Sequence, residues 1–87
     1  MKKPSMTQRR YQAVIDFVKH QINIDLEDYR DETTKRFDGR RGFSINWKAM
    51  GRNDQYNMKE LARKSGRFNL HDGGAWMMSV DCSLISV

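Results

Sequence analysis

The chain has 87 residues, of which 38% are hydrophobic and 31% are charged, and its formal net charge is +5. This length fits a single small domain spanning residues 1–87, and the two Trp, three Tyr and four Phe residues argue against a disordered chain. With one cysteine, Cys82, the chain can form neither an internal disulfide nor a zinc site made of several of its own thiolates.

Targeting signals are not evident in the sequence. No apolar run reaches the roughly 20 residues that a membrane-spanning helix needs, and the basic residues 1–4 lead into no apolar stretch like that of a signal peptide. We therefore expect no membrane partner and a cytoplasmic, reducing location, in which Cys82 is a buried and inert thiol.

The first predicted element is an amphipathic helix. Its apolar residues recur at spacings of three and four and share one face: Tyr11, Val14, Ile15, Val18 and Ile22. Thr7 is a good N-cap for this helix, with Met6 and Tyr11 placed as a hydrophobic staple. Ser5 with Gln8 offers a competing capping box, so the sequence leaves two possible starts.

A second helix is predicted from Leu26 to Phe37. Acidic residues dominate its start and Lys35-Arg36 lie at its end, which matches the helix dipole, and Asp38-Gly39 then provides a stop. We interpret the acids as a solvated helix face, because the spacing of a calcium-binding loop is absent from the sequence.

Residues 40–51 fit two interpretations. Phe43, Ile45 and Trp47 alternate with polar residues, which predicts a strand with one buried face. Alternatively, Ser44 caps a short helix over residues 45–50 that ends at Gly51. We favour the strand because the alternation is regular and aromatic residues favour sheets.

A third helix is predicted over residues 54–64, with Asn53 or Asp54 as its cap. Gly66 suits the left-handed conformation that ends helices. The face expected to pack inward consists of Met58, Leu61, Ala62 and Ser65. The opposite face presents Arg52, Tyr56, Lys59, Glu60 and Arg63.

A β-hairpin is predicted to close the fold. Strands over residues 67–71 and 75–86 flank Asp72-Gly73-Gly74, which is a turn signal. These elements together predict an α+β domain of three helices with a small antiparallel sheet.

The positive charge is concentrated in one part of the chain. Residues 39–70 carry eight basic and two acidic residues, whereas residues 26–38 carry three basic and five acidic ones. A clustered positive charge favours a polyanion, usually nucleic acid, through phosphate contacts and counterion release. Nucleic acid is therefore the leading expected partner.

Two blocks of the chain resemble the DNA-binding head of LexA-type repressors and other winged-helix regulators. Residues 7–22 are similar to that family's capped first helix, and residues 61–68, Leu-Ala-Arg-Lys-Ser-Gly-Arg-Phe, to the end of its recognition helix and the next strand. The resemblance implies a winged-helix fold whose third helix enters the major groove while the hairpin touches nearby DNA. The family has a short helix before the recognition helix, at the place where residues 42–51 here look strand-like.

The resemblance also implies roles for individual residues. Five are expected to face bases or the groove wall: Arg52, Asn53, Gln55, Tyr56 and Lys59. Arg63, Lys64 and Arg67 are expected to meet phosphates, which Arg and Lys bind readily. Arg40 and Arg41, within Gly-Arg-Arg-Gly, are further candidates for phosphate contact, although this is not a P-loop.

A weaker likeness suggests an alternative partner. Residues 73–76, Gly-Gly-Ala-Trp, resemble the hairpin tip of small T7-type phage proteins that bind and disable host machinery. This implies a phage-encoded inhibitor that binds a host protein. A homodimer is also compatible with the sequence, because small regulators often bind paired half-sites.

No catalytic constellation is evident in the sequence. His20 and His71 are the only histidines, and neither accompanies a nucleophile motif, so we expect no enzyme, no catalytic residue, no metal and no cofactor. Trp47 and Trp76 each lie in an alternating run, for which we favour core packing. Exposed, either ring could stack on a base or anchor a partner protein.

Overall fold

The computed structural model describes residues 5–87, and within this range the chain has an α+β fold. The helices are α1 (Met6–Ile22), α2 (Glu32–Lys35) and α3 (Arg52–Ser65), and the strands are β1 (Gly42–Asn46), β2 (Asn69–Asp72) and β3 (Met77–Asp81). The predicted fold class is confirmed. The predictions about residues 1–4 lie outside the described residues.

The described strands form one antiparallel sheet with β3 in the centre, in the order β1-β3-β2. Val80 of β3 lies opposite Phe43 of β1 on one side and Leu70 of β2 on the other. Phe43, Ile45 and Val80 are fully buried on the sheet face that meets the helices. The rest of the chain adds further fully buried side chains: Val14, Val18, Leu26, Met58 and Phe68.

Helix α1 begins at Met6, and Ser5 is its N-cap. Ser5 is extended and its hydroxyl oxygen accepts a hydrogen bond from the Gln8 amide at 3.1 Å. Thr7 therefore lies inside the first turn, so its prediction as the cap is wrong and the Ser5 alternative is right. The predicted apolar stripe is confirmed, because Val14, Ile15 and Val18 are buried.

The predicted second helix is broken in two. A 3₁₀ turn covers Leu26–Tyr29, and Arg30 is extended before α2 begins. Asp31 caps α2 by accepting a hydrogen bond from the Thr34 amide at 2.9 Å, while the Thr34 hydroxyl accepts one from the Asp31 amide at 2.8 Å. The prediction of one helix over residues 26–37 is therefore wrong, because local capping restarts the chain at Asp31.

The strand interpretation of the next segment is right as far as Asn46. The Asn46 side chain accepts a hydrogen bond from the Ala49 amide at 3.2 Å, which turns the chain into a 3₁₀ turn over Trp47–Ala49. Ile45 is therefore the last core residue of the alternation. The alternative helix over residues 45–50 is wrong, since β1 pairs with β3 from Gly42 to Asn46.

Helix α3 begins at Arg52, two residues earlier than predicted. Gly51 is the N-cap and its carbonyl accepts a hydrogen bond from the Gln55 amide at 2.9 Å, so neither Asn53 nor Asp54 is the cap. The predicted stop is confirmed, because Gly66 adopts the left-handed conformation with φ of 63°.

The hairpin is present with shorter strands than predicted. β2 ends at Asp72 and β3 begins at Met77, so residues 73–76 form the tip. The carbonyl of Trp76 accepts hydrogen bonds from the Trp47 and Lys48 amides, at 2.9 and 3.4 Å, which hold the tip against the turn before α3. At the other end, the Asp81 carboxylate accepts a hydrogen bond from the Ser83 amide at 2.9 Å and turns the chain out of the sheet.

The outer edge of β1 is occupied by a buried ion pair. Arg30 donates two hydrogen bonds to Asp38, at 3.0 and 2.6 Å. Arg30 also donates to the Ser44 carbonyl, and Asp38 accepts from the Ser44 amide, both at 3.2 Å. The pair therefore satisfies the amide and carbonyl groups of Ser44, which would otherwise be unpaired at this edge of the sheet.

Candidate nucleic-acid interface

The solvent-facing side of α3 carries most of the predicted binding residues. Met58 is fully buried, which turns the opposite side of the helix outward. Seven of the predicted binding residues are exposed on α3 or in the segment after it: Arg52, Asn53, Tyr56, Lys59, Arg63, Lys64 and Arg67. Because Tyr56 is 64% exposed, this aromatic ring is available to a ligand.

Gln55 does not belong to this exposed set. Its side-chain amide donates hydrogen bonds to the carbonyls of Trp47 and Met50, at 2.8 and 3.0 Å. The residue therefore fastens the 3₁₀ turn to the first turn of α3, and its predicted contact with bases is corrected to a structural role.

Arg63 forms an ion pair within the helix. Its Nη2 lies 2.6 Å from a carboxylate oxygen of Glu60, three residues earlier. The hydrogen bond from Arg63 lowers the pKa of Glu60. Since the Arg63 side chain is 68% exposed, the pair is a weak surface interaction that a phosphate can displace.

Arg41 lies apart from α3. Phe43 and Ile45 face the core, so the neighbouring positions Gly42 and Ser44 face the other side of the sheet. On that side, Arg41 lines a shallow pocket together with His71 and Asp81. The structure therefore does not bring Arg41 together with the exposed side of α3, and Arg40 is exposed in the bend before β1.

Asp81 is the central group of this second cluster. Its carboxylate lies 3.6 Å from Nε2 of His71 and 3.9 Å from Nη2 of Arg41. Burial alone would raise the pKa of Asp81, but the hydrogen bonds from the Ser83 hydroxyl and amide, with the charge of Arg41, lower it. The negative charge of Asp81 thus offsets part of the positive charge of Arg41.

Of the predicted binding residues, Lys59 alone lines a groove between α3 and the hairpin, and the other residues of that groove were not predicted to bind. Its lining includes Trp47, Lys59 and Trp76, and Nζ of Lys59 lies 5.9 Å from the centre of the Trp47 ring. Trp47 packs partly on the core, as predicted. Trp76 is not among the side chains packed on the core within residues 5–87, so its prediction as a core residue is wrong, and both residues are half-buried. The sequence signal was Trp76 itself, next to the run of small residues Gly73-Gly74-Ala75.

Within residues 5–87, no group of three or more His, Cys, Asp or Glu side chains is arranged so that it could hold a metal ion.

Cys82 is fully buried, and burial raises its pKa to about 12, so the prediction of a buried, inert thiol is confirmed. None of the helices within residues 5–87 combines the length and apolar character needed to cross a membrane.

Comparisons with protein-family models, with curated proteins and with solved structures gave no significant match for this chain. The functional assignment therefore depends on the geometry and chemistry described above.

Proposed function

We propose that this protein binds nucleic acid, with duplex DNA as the leading ligand, through the exposed side of α3 in the manner of winged-helix regulators. The observation that carries the proposal is a solvent-facing row of cations. Arg52, Lys59 and Arg63, at spacings of seven and four residues, share one exposed side of α3, and Lys64 and Arg67 add exposed cations toward its C-terminal end. Such a row can contact successive phosphates and release their counterions.

The surrounding elements support the same proposal. The 3₁₀ turn Trp47–Ala49 precedes α3, at the place where winged-helix proteins have a short helix and a tight turn. The hairpin of β2 and β3 follows α3, as a wing would. Exposed Asn53 and Tyr56 on the same side of α3 offer polar and aromatic contacts to base edges or groove walls.

Salt-dependent binding tests the proposal. Fluorescence anisotropy of a labelled duplex should show association at micromolar protein, and about four phosphate contacts would weaken it roughly 100-fold between about 50 and 200 mM salt. Single-stranded DNA and duplex RNA are run beside it. Absence of salt-sensitive binding to every probe would rule the proposal out.

A protein ligand is the second candidate, because one edge of the sheet is open. β2 pairs with β3 on one side and has no strand neighbour on the other within residues 5–87. Such an edge can accept an extended segment of another protein, for example a host enzyme inhibited by a phage protein. A pull-down from bacterial lysate with nuclease separates the candidates: a partner retained after digestion favours the protein ligand.

A further inference from the structure

The groove between α3 and the hairpin brings aromatic rings and a cation together. Trp47 reaches it from the 3₁₀ turn, Trp76 from the hairpin tip and Lys59 from α3. The groove has a volume of about 590 Å³, within the roughly 300–1,000 Å³ range of small-ligand sites. It therefore offers room for a flat aromatic group beside a positive charge.

The two tryptophans are held in fixed relation by the backbone. The Trp76 carbonyl accepts a hydrogen bond from the Trp47 amide at 2.9 Å, which joins the hairpin tip to the turn before α3. Gln55 fastens that turn to α3 from the other side, through the Trp47 carbonyl at 2.8 Å. The ring-bearing segments are thus ordered before any ligand arrives, which lowers the entropic cost of binding.

Packing of the core does not account for the Trp76 ring. Among the described residues, the hydrophobic core and the side chains packed on it include Trp47 and Met78 but not Trp76. Trp76 is half-buried where it lines the groove, and the tip residues beside it, Gly74 and Ala75, are exposed. An aromatic face partly open to solvent beside a lysine is the chemistry that binds nucleobases by stacking and their phosphates by charge.

We propose that this groove stacks an unpaired nucleobase on the Trp47 and Trp76 rings, with Lys59 contacting the adjoining phosphate. The inference rests on the proposed nucleic-acid binding and adds a preference for single strands, or duplexes with an unpaired base, over a fully paired duplex. The carboxylate of Asp72 also lines the groove and accepts a hydrogen bond from the Gly74 amide at 3.0 Å. Because it repels phosphate, the sugar–phosphate chain should run on the Lys59 side.

Three probes of one sequence test the groove: a single strand of about 12 nucleotides, its fully paired duplex, and that duplex with one unpaired base. The probes with unpaired bases should bind more tightly than the paired duplex and should quench tryptophan fluorescence. Trp76→Ala should weaken their binding roughly 5- to 100-fold, as expected for loss of one stacked base. Its affinity for the paired duplex should stay unchanged.

Conservative variants guard against loss of folding. Trp76→Phe retains a stacking face and should keep most of the affinity for unpaired bases. Trp47 packs partly on the core, so it is substituted by phenylalanine rather than by alanine. In Trp47→Phe, quenching of the remaining Trp76 reports on the bound base. Circular dichroism of each variant confirms that it is folded.

The outcomes separate the groove from the wider proposal. If the wild type binds paired duplex in a salt-dependent way and Trp76→Ala leaves every affinity unchanged, the groove proposal is overturned while nucleic-acid binding stands. If the wild type binds no probe, nucleic-acid binding itself fails. A lysate protein that is retained by the wild type after nuclease treatment, and is not retained by Trp76→Ala, would overturn the proposal of a nucleobase ligand in favour of a protein ligand.

Discussion

The two outer edges of the sheet differ in what covers them. At the outer edge of β1, Arg30 and Asp38 are paired with each other and with Ser44, and the Arg30 side chain is 6% exposed. Tyr11 adds a hydrogen bond from its hydroxyl to the Gly42 carbonyl at 2.8 Å. The outer edge of β2 likewise has no strand neighbour within residues 5–87, but no buried ion pair covers it among these residues.

The β1 edge and the exposed side of α3 therefore differ in what their charged residues do. Aromatic rings surround the buried charge at the β1 edge, since the Arg30 guanidinium lies 4.6 Å from the centre of the Phe43 ring. Asp31 and Asp38, both from the acidic segment 26–38, serve there as a helix cap and as the ion-pair partner. The cations of α3 lack comparable burial and remain available to a ligand. We therefore expect substitutions at the β1 edge to affect folding and those on the α3 side to affect binding.

Removal of Arg30 should have the largest effect. Arg30→Ala leaves the largely buried Asp38 carboxylate without its partner and the Ser44 carbonyl without a donor. Breaking a buried pair in this way costs about 3–5 kcal/mol, a large part of the stability of a small domain. Urea denaturation followed by circular dichroism measures the loss.

Two variants accompany this measurement. Arg30→Lys keeps the charge but loses the two-pronged contact with Asp38, so its loss should be intermediate. Arg36→Ala removes an exposed arginine nearby and should change the stability by no more than about 0.5 kcal/mol. Equal effects of Arg30→Ala and Arg36→Ala would mean that the β1 edge does not depend on the ion pair.

Groups on the β1 side should make the folded protein less stable at alkaline pH. Burial raises the pKa of Cys82 from 9.0 to about 12, and burial with the charge of Asp38 raises the pKa of Tyr11. The unfolded chain therefore releases these protons at lower pH than the folded chain does. Above about pH 9, stability should fall by up to about 1.4 kcal/mol per pH unit for the thiol alone.

Cys82→Ala isolates the contribution of the thiol. The substitution lowers stability at neutral pH by leaving a cavity, but the variant should lose less stability than the wild type between about pH 9 and 10. Urea denaturation at several pH values gives both curves. Parallel curves would show that the thiol ionises equally easily in the folded and unfolded chains.

Sequence reasoning succeeded where the determining interactions are local. The apolar stripe of α1 and the stop at Gly66 follow from neighbouring residues, and both are confirmed. The Asp31–Thr34 capping box that restarts the helix is also local and was overlooked. The partners of the Arg30 side chain, in contrast, are distant: Asp38 lies eight residues away and Ser44 fourteen. Such contacts leave no periodic signal in the sequence.

The same distinction between local and long-range determinants applies to the candidate site. Outward residues of α3 such as Lys59 follow from helical periodicity, so their common exposure was predictable. The separation of Arg41 from the exposed side of α3 depends on the pairing of β1 with β3, which no local pattern in the sequence specifies. The use of the Gln55 side chain depends on the fold of the 3₁₀ turn, and the groove depends on the meeting of that turn with the hairpin tip.

Matched arginines test which side of the molecule binds nucleic acid. Arg52 on α3 and Arg41 on the far side of the sheet are both exposed. Arg52→Ala should weaken duplex binding roughly 3- to 10-fold and lower the salt slope by about one unit, as for loss of one phosphate contact. Arg41→Ala should leave binding unchanged. Equal losses would indicate that the ligand spans both faces of the sheet.

The smallest predicted effect concerns the acid beside the groove. Asp72→Asn keeps the oxygen that accepts the Gly74 amide hydrogen bond but removes a negative charge near Lys59. Because that charge repels phosphate, the variant should bind labelled duplex roughly 2- to 4-fold more tightly at low salt, with the gain fading as salt screens the charge. Asp28→Asn, an exposed acid of the Leu26–Tyr29 turn on the β1 side, is the control and should change nothing. A tightening by both variants would reflect net charge alone, whereas a tightening by Asp72→Asn alone locates the bound phosphates beside α3 and the hairpin.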